Sequence, residues 1–324
     1  MTLETEAVLD RRRLRRSLSA WRVLALFAGA LALVALALAT TGDKGGLGGQ
    51  KQQIARIAVE GVITENRDQI RLLKQIADAG HVDALILFIN SPGGTTTGGE
   101  ALFEAIRGVA EKKPVVAQFG TVATSAAYIA GLATDQIFAR GNTITGSVGV
   151  IFQWAEVSEL MGKLGVKMNE IKSGPLKANP SPFQPIDAAG KANAEKMVAE
   201  SMNWFRGLVA SRRQIDTSAV PGLEQGGIFS GREALQHKLV DEIGGEAEIK
   251  RWLSDKRGIT KDLTVVDWKP KTVDSWGVLG MVGRILGHTL GIDIDLARLM
   301  GDERRFGALT LDGLVSIWQP AENK

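Results

Sequence analysis

Apolar and polar positions change period several times along this chain, and each change marks an element. Ile54–Val62 (IARIAVEGV) alternates, which predicts a strand. Arg67–Ala79 carries Ile70, Leu72, Leu73 and Ile76 at helical spacing. Ala84–Ile89 (ALILFI) is a continuous apolar run, the pattern of a buried strand. A helix over Thr97–Glu111, a second buried strand over Pro114–Phe119, a small-residue helix over Ser125–Ala133 and a short strand over Gln136–Ala139 follow. Further on, the pattern predicts strands at Ser147–Phe152 and Val166–Ile171 with a helix, Glu156–Leu164, between them. Asp187–Arg213 predicts a long helix capped by Asp187, with Met197, Met202, Phe205 and Val209 as a core-facing stripe. Strands and helices that alternate in this way argue for an α/β layered fold.

Ahead of these elements lies a different pattern. Val23–Ala39 is an unbroken apolar run, at the short end of what spans a hydrocarbon core. Trp21 and Arg22 mark one interface, Thr40 and Thr41 the other. Arginines precede the run, so the positive-inside rule holds the N-terminus in the cytosol and the body of the protein outside it. A cleaved secretory signal is the alternative, with Ala37-Leu38-Ala39 resembling a cleavage site, and a buried soluble helix is a third reading. The chain therefore divides into a basic leader (1–22), a signal anchor (23–40), a Gly/Lys/Gln-rich linker (41–53), a catalytic-sized domain (54–260) and an apolar extension (261–324). Within the extension, Trp276–Leu290 is too short and interrupted to span a bilayer. It reads as a packed helix, a protomer contact or an interfacial helix.

Charge sharpens this division. The formal net charge is +3. Arg11, Arg12, Arg13, Arg15, Arg16 and Arg22, set against Glu4, Glu6 and Asp10, account for all of it. The remainder is near neutral, which argues against a broad nucleic-acid surface. No cysteine is present, so disulfides, zinc–thiolate sites and a cysteine nucleophile are excluded. No cofactor or metal is implied.

Three segments carry candidate chemistry. Ser91-Pro92-Gly93-Gly94 follows a buried strand and reads as a glycine turn whose amides suit an oxyanion, or as an ordinary strand-to-helix turn. No Gly-Lys-Ser/Thr follows, which disfavours a phosphate loop. Ser125 opens the alanine-rich helix, as a nucleophile or as a plain cap. The usual hydrolase elbow, Gly-x-Ser-x-Gly, is absent. His81, His237 and His288 show no route to Ser125, so a Ser-His-Asp triad is disfavoured. A neutral lysine can replace histidine as base if it is buried away from carboxylates. Lys177, in Ser173-Gly-Pro-Leu-Lys-Ala-Asn-Pro180, fits best, because no acid lies between Glu170 and Asp187. Lys172 is the rival but sits close to Glu170.

Five ordered pieces resemble the signal peptide peptidase A family, membrane-bound Ser-Lys serine proteases related in fold to crotonases and Clp protease. They are Ile89–Gly94, Ala123–Ala130, Thr143–Val150, Lys172–Lys177, and Phe229–Leu235 with Leu239–Gly245. The resemblance covers about residues 54–250. It implies a crotonase/Clp-protease-like α/β fold with Ser125 as nucleophile and Lys177 as general base. Gly94 and the Ala126 amide would form the oxyanion hole, and Ser147 would orient the lysine. It further implies released signal peptides as substrates, attachment to the inner membrane, and a ring-shaped homo-oligomer in which neighbouring protomers complete each site. One departure is Ala126-Ala127, where Gly-Gly often follows the nucleophile; the amide survives while access narrows. Two other classes stay open. An enoyl-CoA hydratase or isomerase on the same fold needs glutamates near the oxyanion loops. A non-catalytic membrane-anchored scaffold would leave Ser125 unreactive to a serine-directed phosphonate.

Overall fold

A computed structural model describes residues 51–270, the helical positions Trp21, Arg22, Leu24, Ala25 and Phe27–Gly29, and the backbone of Val315–Ile317. The segment Met1–Lys51 forms one unit and Gln52–Lys324 another. Most of the apolar run at 23–40 lies outside the described residues, as do Trp276–Leu290 and His288. Among the described residues, no helix is long and apolar enough to cross a membrane.

Alternation drives the first layers of the second unit. β1 (Gln53–Ile63), α1 (Arg67–Asp78), β2 (Val82–Thr95), α2 (Thr96–Ala110) and β3 (Val115–Thr124) form two successive parallel crossovers. Asn66 caps α1 through the amides of Asp68 and Gln69, and Thr95 caps α2 through that of Gly98. α3 (Ala126–Leu132), β4 (Gln136–Ala139) and β5 (Ile144–Gly146) follow. An exposed arm then carries α4 (Ser158–Lys163) and leads into α5 (Ala188–Arg213), which Asp187 caps as its sequence predicts. β6 (Ile228–Ser230), α6 (Gly231–Gln236), β7 (Glu242–Ile243), α7 (Glu246–Arg257), β8 (Thr264–Asp267) and β9 (Val315–Ile317) complete the described elements.

These strands make one sheet in the order β6-β5-β3-β2-β1-β8, with β4 on β3, β7 on β4, and β9 on β2. Successive side chains face opposite layers. Ile57, Val59, Leu85, Leu87, Val115 and Phe119 pack under α1, α2 and α5. Ile54, Ala84, Ile86, Val116 and Phe138 pack under Ile249 and Leu253 of α7. Helices on both faces explain why ALILFI is continuous rather than alternating.

Three sequence expectations change. Ser91–Gly94 is not a turn, because β2 continues through it to Thr95. Val62 and Ile63 of β1 lie against Gly93 and Gly94 there, and a Cβ on Gly94 would fall 1.8 Å from the Ile63 carbonyl oxygen. Gly94 serves this close approach, and Gly93 takes φ +112°. The strand expected at 147–152 lies earlier, at Ile144–Gly146, and Ser147, at φ +52°, turns the chain out of the sheet. No strand forms over Val166–Ile171, where the alternating pattern lies on the exposed arm.

Candidate active site

Ser125 lies where β3 ends and α3 begins. It is 1% exposed, and its backbone takes φ +60° and ψ −122°. Residues with a Cβ rarely adopt such a conformation, and the cost persists only where the surroundings impose it. Its side chain makes no cap bond to α3, so the plain-cap reading fails. Its amide donates to the Gly146 carbonyl at 2.9 Å, which ties the serine to the end of β5.

Threonine hydroxyls fix the strands around it. Thr124 Oγ1 donates to the Pro92 carbonyl at 3.0 Å, so the residue before Ser125 grips the glycine segment of β2. Thr145 Oγ1 donates to the Ala123 carbonyl and Thr143 Oγ1 to that of Gly120. Asn90 Oδ1 accepts from the amides of Thr121 and Val122, where β3 draws away from β2. None of these four residues stands out as a candidate in the sequence. The available signal was the density of threonine in Gly120–Ser125 and Thr143–Thr145, whose polar groups lie in otherwise apolar strand runs.

The oxyanion candidates lie nearby in the fold. Gly94 follows the Pro92 held by Thr124, and Ala126 opens α3. Ala126 is fully buried, and its methyl faces Gly99 of α2, where an added Cβ would come within 3.2 Å. Gly99 therefore makes the room that Ala126 needs. Ser147 adjoins Gly146, is nearly buried at positive φ, and donates its amide to the Gly227 carbonyl.

Lys177 is the contrast. It stands exposed on the arm between β5 and α5, so the described residues of this chain do not give it the burial a neutral amine needs. Its amide closes a turn onto Gly174, and the next residue, Ala178, has φ +54°. Asn179 then donates to Asp187, which also accepts from the Gly190 amide. These two bonds, the Gly190 amide first, hold the Asp187 carboxyl below its ordinary range. Lys172 pairs with Glu170 at 2.7 Å, as its sequence neighbourhood suggests.

The described histidines have structural surroundings. His81 stacks on Trp268 and His237 meets the edge of Phe229. Tyr128, three residues after Ser125, is fully buried and donates to the Leu239 carbonyl, while burial pushes its phenol pKa up. Arg213 holds Asp241 with two bonds of 2.7 and 3.1 Å, and Asp241 also accepts from the Ile137 amide. The Leu239–Gly245 piece thus braces the sheet. A groove beside β1 and β8, walled by Arg56, Glu60, Phe88, Gln118 and Trp268, includes neither Ser125 nor Lys177. No group of residues suited to hold a metal occurs among the described residues.

The chain is similar to known proteases. The peptidase family S49 profile matches residues 107–260, and the Clp protease profile matches residues 55–143. A chain of Synechocystis sp. named as a protease is 31% identical over 219 residues, covering 67% of this chain and 79% of its own length. A Methanocaldococcus jannaschii chain, also named as a protease, is 30% identical over 225 residues, covering 69% and 72%. A chain of Enterococcus faecium named as signal peptide peptidase SppA is 31% identical over 247 residues, covering 71% of each. Sheet, glycine segment and matches together define a serine peptidase with a Clp-protease-like α/β core. The chain belongs to peptidase family S49, that of signal peptide peptidase A.

Proposed function

We propose that this chain is a membrane-anchored serine endopeptidase that degrades released signal peptides, with Ser125 as nucleophile and neutral Lys177 as general base. The observation that carries the reading is Ser125 itself, buried, held at positive φ, bonded to no cap and placed beside the glycine segment of β2. Lys177 takes the Ser125 proton as Oγ attacks a peptide carbonyl. The oxyanion is held by the amides of Gly94 and Ala126, and Ser147 orients the amine. Lys177 then protonates the leaving amine, and water hydrolyses the acyl-enzyme.

The exposure of Lys177 favours a site completed between protomers of a ring. The arm that carries it also exposes Leu160, Leu164, Val166, Met168, Ile171 and Leu176. An apolar surface of this kind suits contact with a second copy. Burial in that contact would supply the dry surroundings that a neutral amine requires. Residues 23–40 would anchor the chain in the inner membrane, with the catalytic domain outside the cytosol.

The test compares detergent-solubilised wild type with Ser125→Ala on a released signal peptide. Cleavage falls by on the order of 10³-fold or more in the variant. Equal cleavage by both proteins overturns the assignment.

A further inference from the structure

β2 and β3 change register just before Ser125. Ile89 lies opposite Phe119, and Ser91 lies opposite Ala123. Between those two pairs β2 spends one residue, Asn90, and β3 spends three, Gly120, Thr121 and Val122. The surplus on β3 decides where Ser125 comes to rest. Carried forward from Ile89 and Phe119, the register would set Ser125 level with Thr95. Carried forward from Ser91 and Ala123, it sets Ser125 level with Gly93. The bond from Thr124 Oγ1 to the Pro92 carbonyl agrees with the second. At a strand rise of about 3.3 Å per residue, the difference is about 7 Å.

Packing does not require this excursion. A surplus of two residues keeps the alternation of side chains, and Ala117, Phe119 and Ala123 share one core layer on either side of it. Bulges recur beside active sites, where they re-aim a side chain. This one has its own fastening. Asn90, half-buried on β2, accepts through Oδ1 from the amides of Thr121 and Val122, both at 3.2 Å. Gly120 makes room for that carboxamide, since an added Cβ would come within 3.0 Å of Asn90. From the far side, Thr143 Oγ1 donates to the Gly120 carbonyl at 2.7 Å. One side chain of β2 thus holds two successive amides of β3.

We propose that Asn90 is a positioning residue for the peptidase reaction. By fixing the excursion it holds Ser125 level with Gly93-Gly94, so that the serine Oγ and the oxyanion donors meet the same carbonyl. This rests on reading Ser125 as the nucleophile. Asn90 acts through Ser125, and its effect belongs to the transition state, where attack and oxyanion capture coincide.

The test compares kcat and KM of wild type, Asn90→Leu and Asn90→Asp on a synthetic signal peptide, each well below its denaturation midpoint. Leucine has about the size of asparagine and no acceptor. In Asn90→Leu, kcat falls about 100-fold, the scale of a 1 Å misplacement. KM stays within about two-fold, as expected for an interaction felt only in the transition state. Asn90→Asp keeps Oδ1 and retains kcat within about ten-fold of wild type. A residue that only stabilised the fold would lower the midpoint and leave kcat of the folded protein unchanged. Unchanged kcat in Asn90→Leu, or equal losses in Asn90→Leu and Asn90→Asp, overturns the proposal.

Thr143→Val is isosteric and releases the excursion from its other side, so it answers even where Asn90→Leu fails to fold. Its kcat falls about ten-fold at unchanged KM; unchanged kcat overturns the proposal here too. Ser125→Ala decides the peptidase reading by itself. Cleavage retained by Ser125→Ala removes that reading. Cleavage lost there, with kcat intact in Asn90→Leu, removes only the role of Asn90.

Discussion

Single residues around Ser125 do work that their type disguises. Thr124, Thr143 and Thr145 are buried, and each hydroxyl satisfies a carbonyl of a neighbouring strand or loop. Thr124→Val leaves the Pro92 carbonyl without that donor, which costs about 1–2 kcal/mol. The same change loosens the segment that sets Gly94 against Ser125. Urea denaturation gives the first effect, and kcat gives the second, falling by more than the small stability loss accounts for. Gly94→Ala acts differently. Its methyl would meet backbone rather than a movable side chain, so a loss of about 2 kcal/mol or more is expected, read as a lower midpoint of denaturation. Ser125 was legible as a candidate because it stands between a strand and a helix. Its backbone strain was not, since nothing in Thr-Ser-Ala-Ala states that the serine has φ +60°.

At the scale of elements, the buried layers were legible and the arm was not. ALILFI, PVVAQF and the α5 stripe are patterned by the layers they contact, and Phe205 and Val209 are buried as that stripe predicts. Met197 is exposed. Val166–Ile171 has strand-like alternation and pairs with no strand among the described residues, and Ser147–Phe152 makes only a bridge at Ile151; periodicity alone cannot supply a partner strand. Short β8 and β9 were missed for the converse reason, having partners in the sheet but too few residues to set a period. The arm meets α5 through Asp187, which binds both the Gly190 amide and Asn179. Because its carboxyl is held below the ordinary value of 3.8, its contribution is complete above that pH and is lost as pH falls through the depressed folded value. Protection of the first-turn amides of α5, relative to their intrinsic exchange at each pH, should therefore fall when pH drops below about 3.8, and Asp187→Ala should show the lower protection already at neutral pH. Equal protection in both proteins would remove Asp187 from this role.

For the whole molecule, the separation in character between Ser125 and Lys177 matters most. Ser125 is buried and Lys177 exposed, which, in their proposed roles of nucleophile and base, suits one protomer of a shared site. Mixing Ser125→Ala chains with Lys177→Ala chains, each inactive alone, then restores activity to about a quarter of wild type, since random neighbours pair an intact serine with an intact lysine that often. Pairing within one chain would restore none. Leu164→Asp with Ile171→Asp would separate the protomers, seen as a lower mass by light scattering with cleavage lost in parallel. Support for the sheet is local by comparison. Asp241→Ala leaves the partly buried Arg213 without its carboxylate, at a cost of about 3 kcal/mol. The pairing of serine and lysine could not be read from spacing, because spacing describes one chain and this site is proposed to need two.

β9 has a consequence for the protein when it is not at work. A bare strand edge is a row of unpaired amides and carbonyls, and other strands add to it readily. At Gly93–Thr95 that row would include two residues with no side chains to obstruct an approaching strand. With β9 seated, Gly93 and Gly94 are paired on both edges. A seated β9 would thus hinder strand addition between chains at this edge, and proline at Val315, Ser316 and Ile317 is expected to raise the aggregated fraction seen by light scattering.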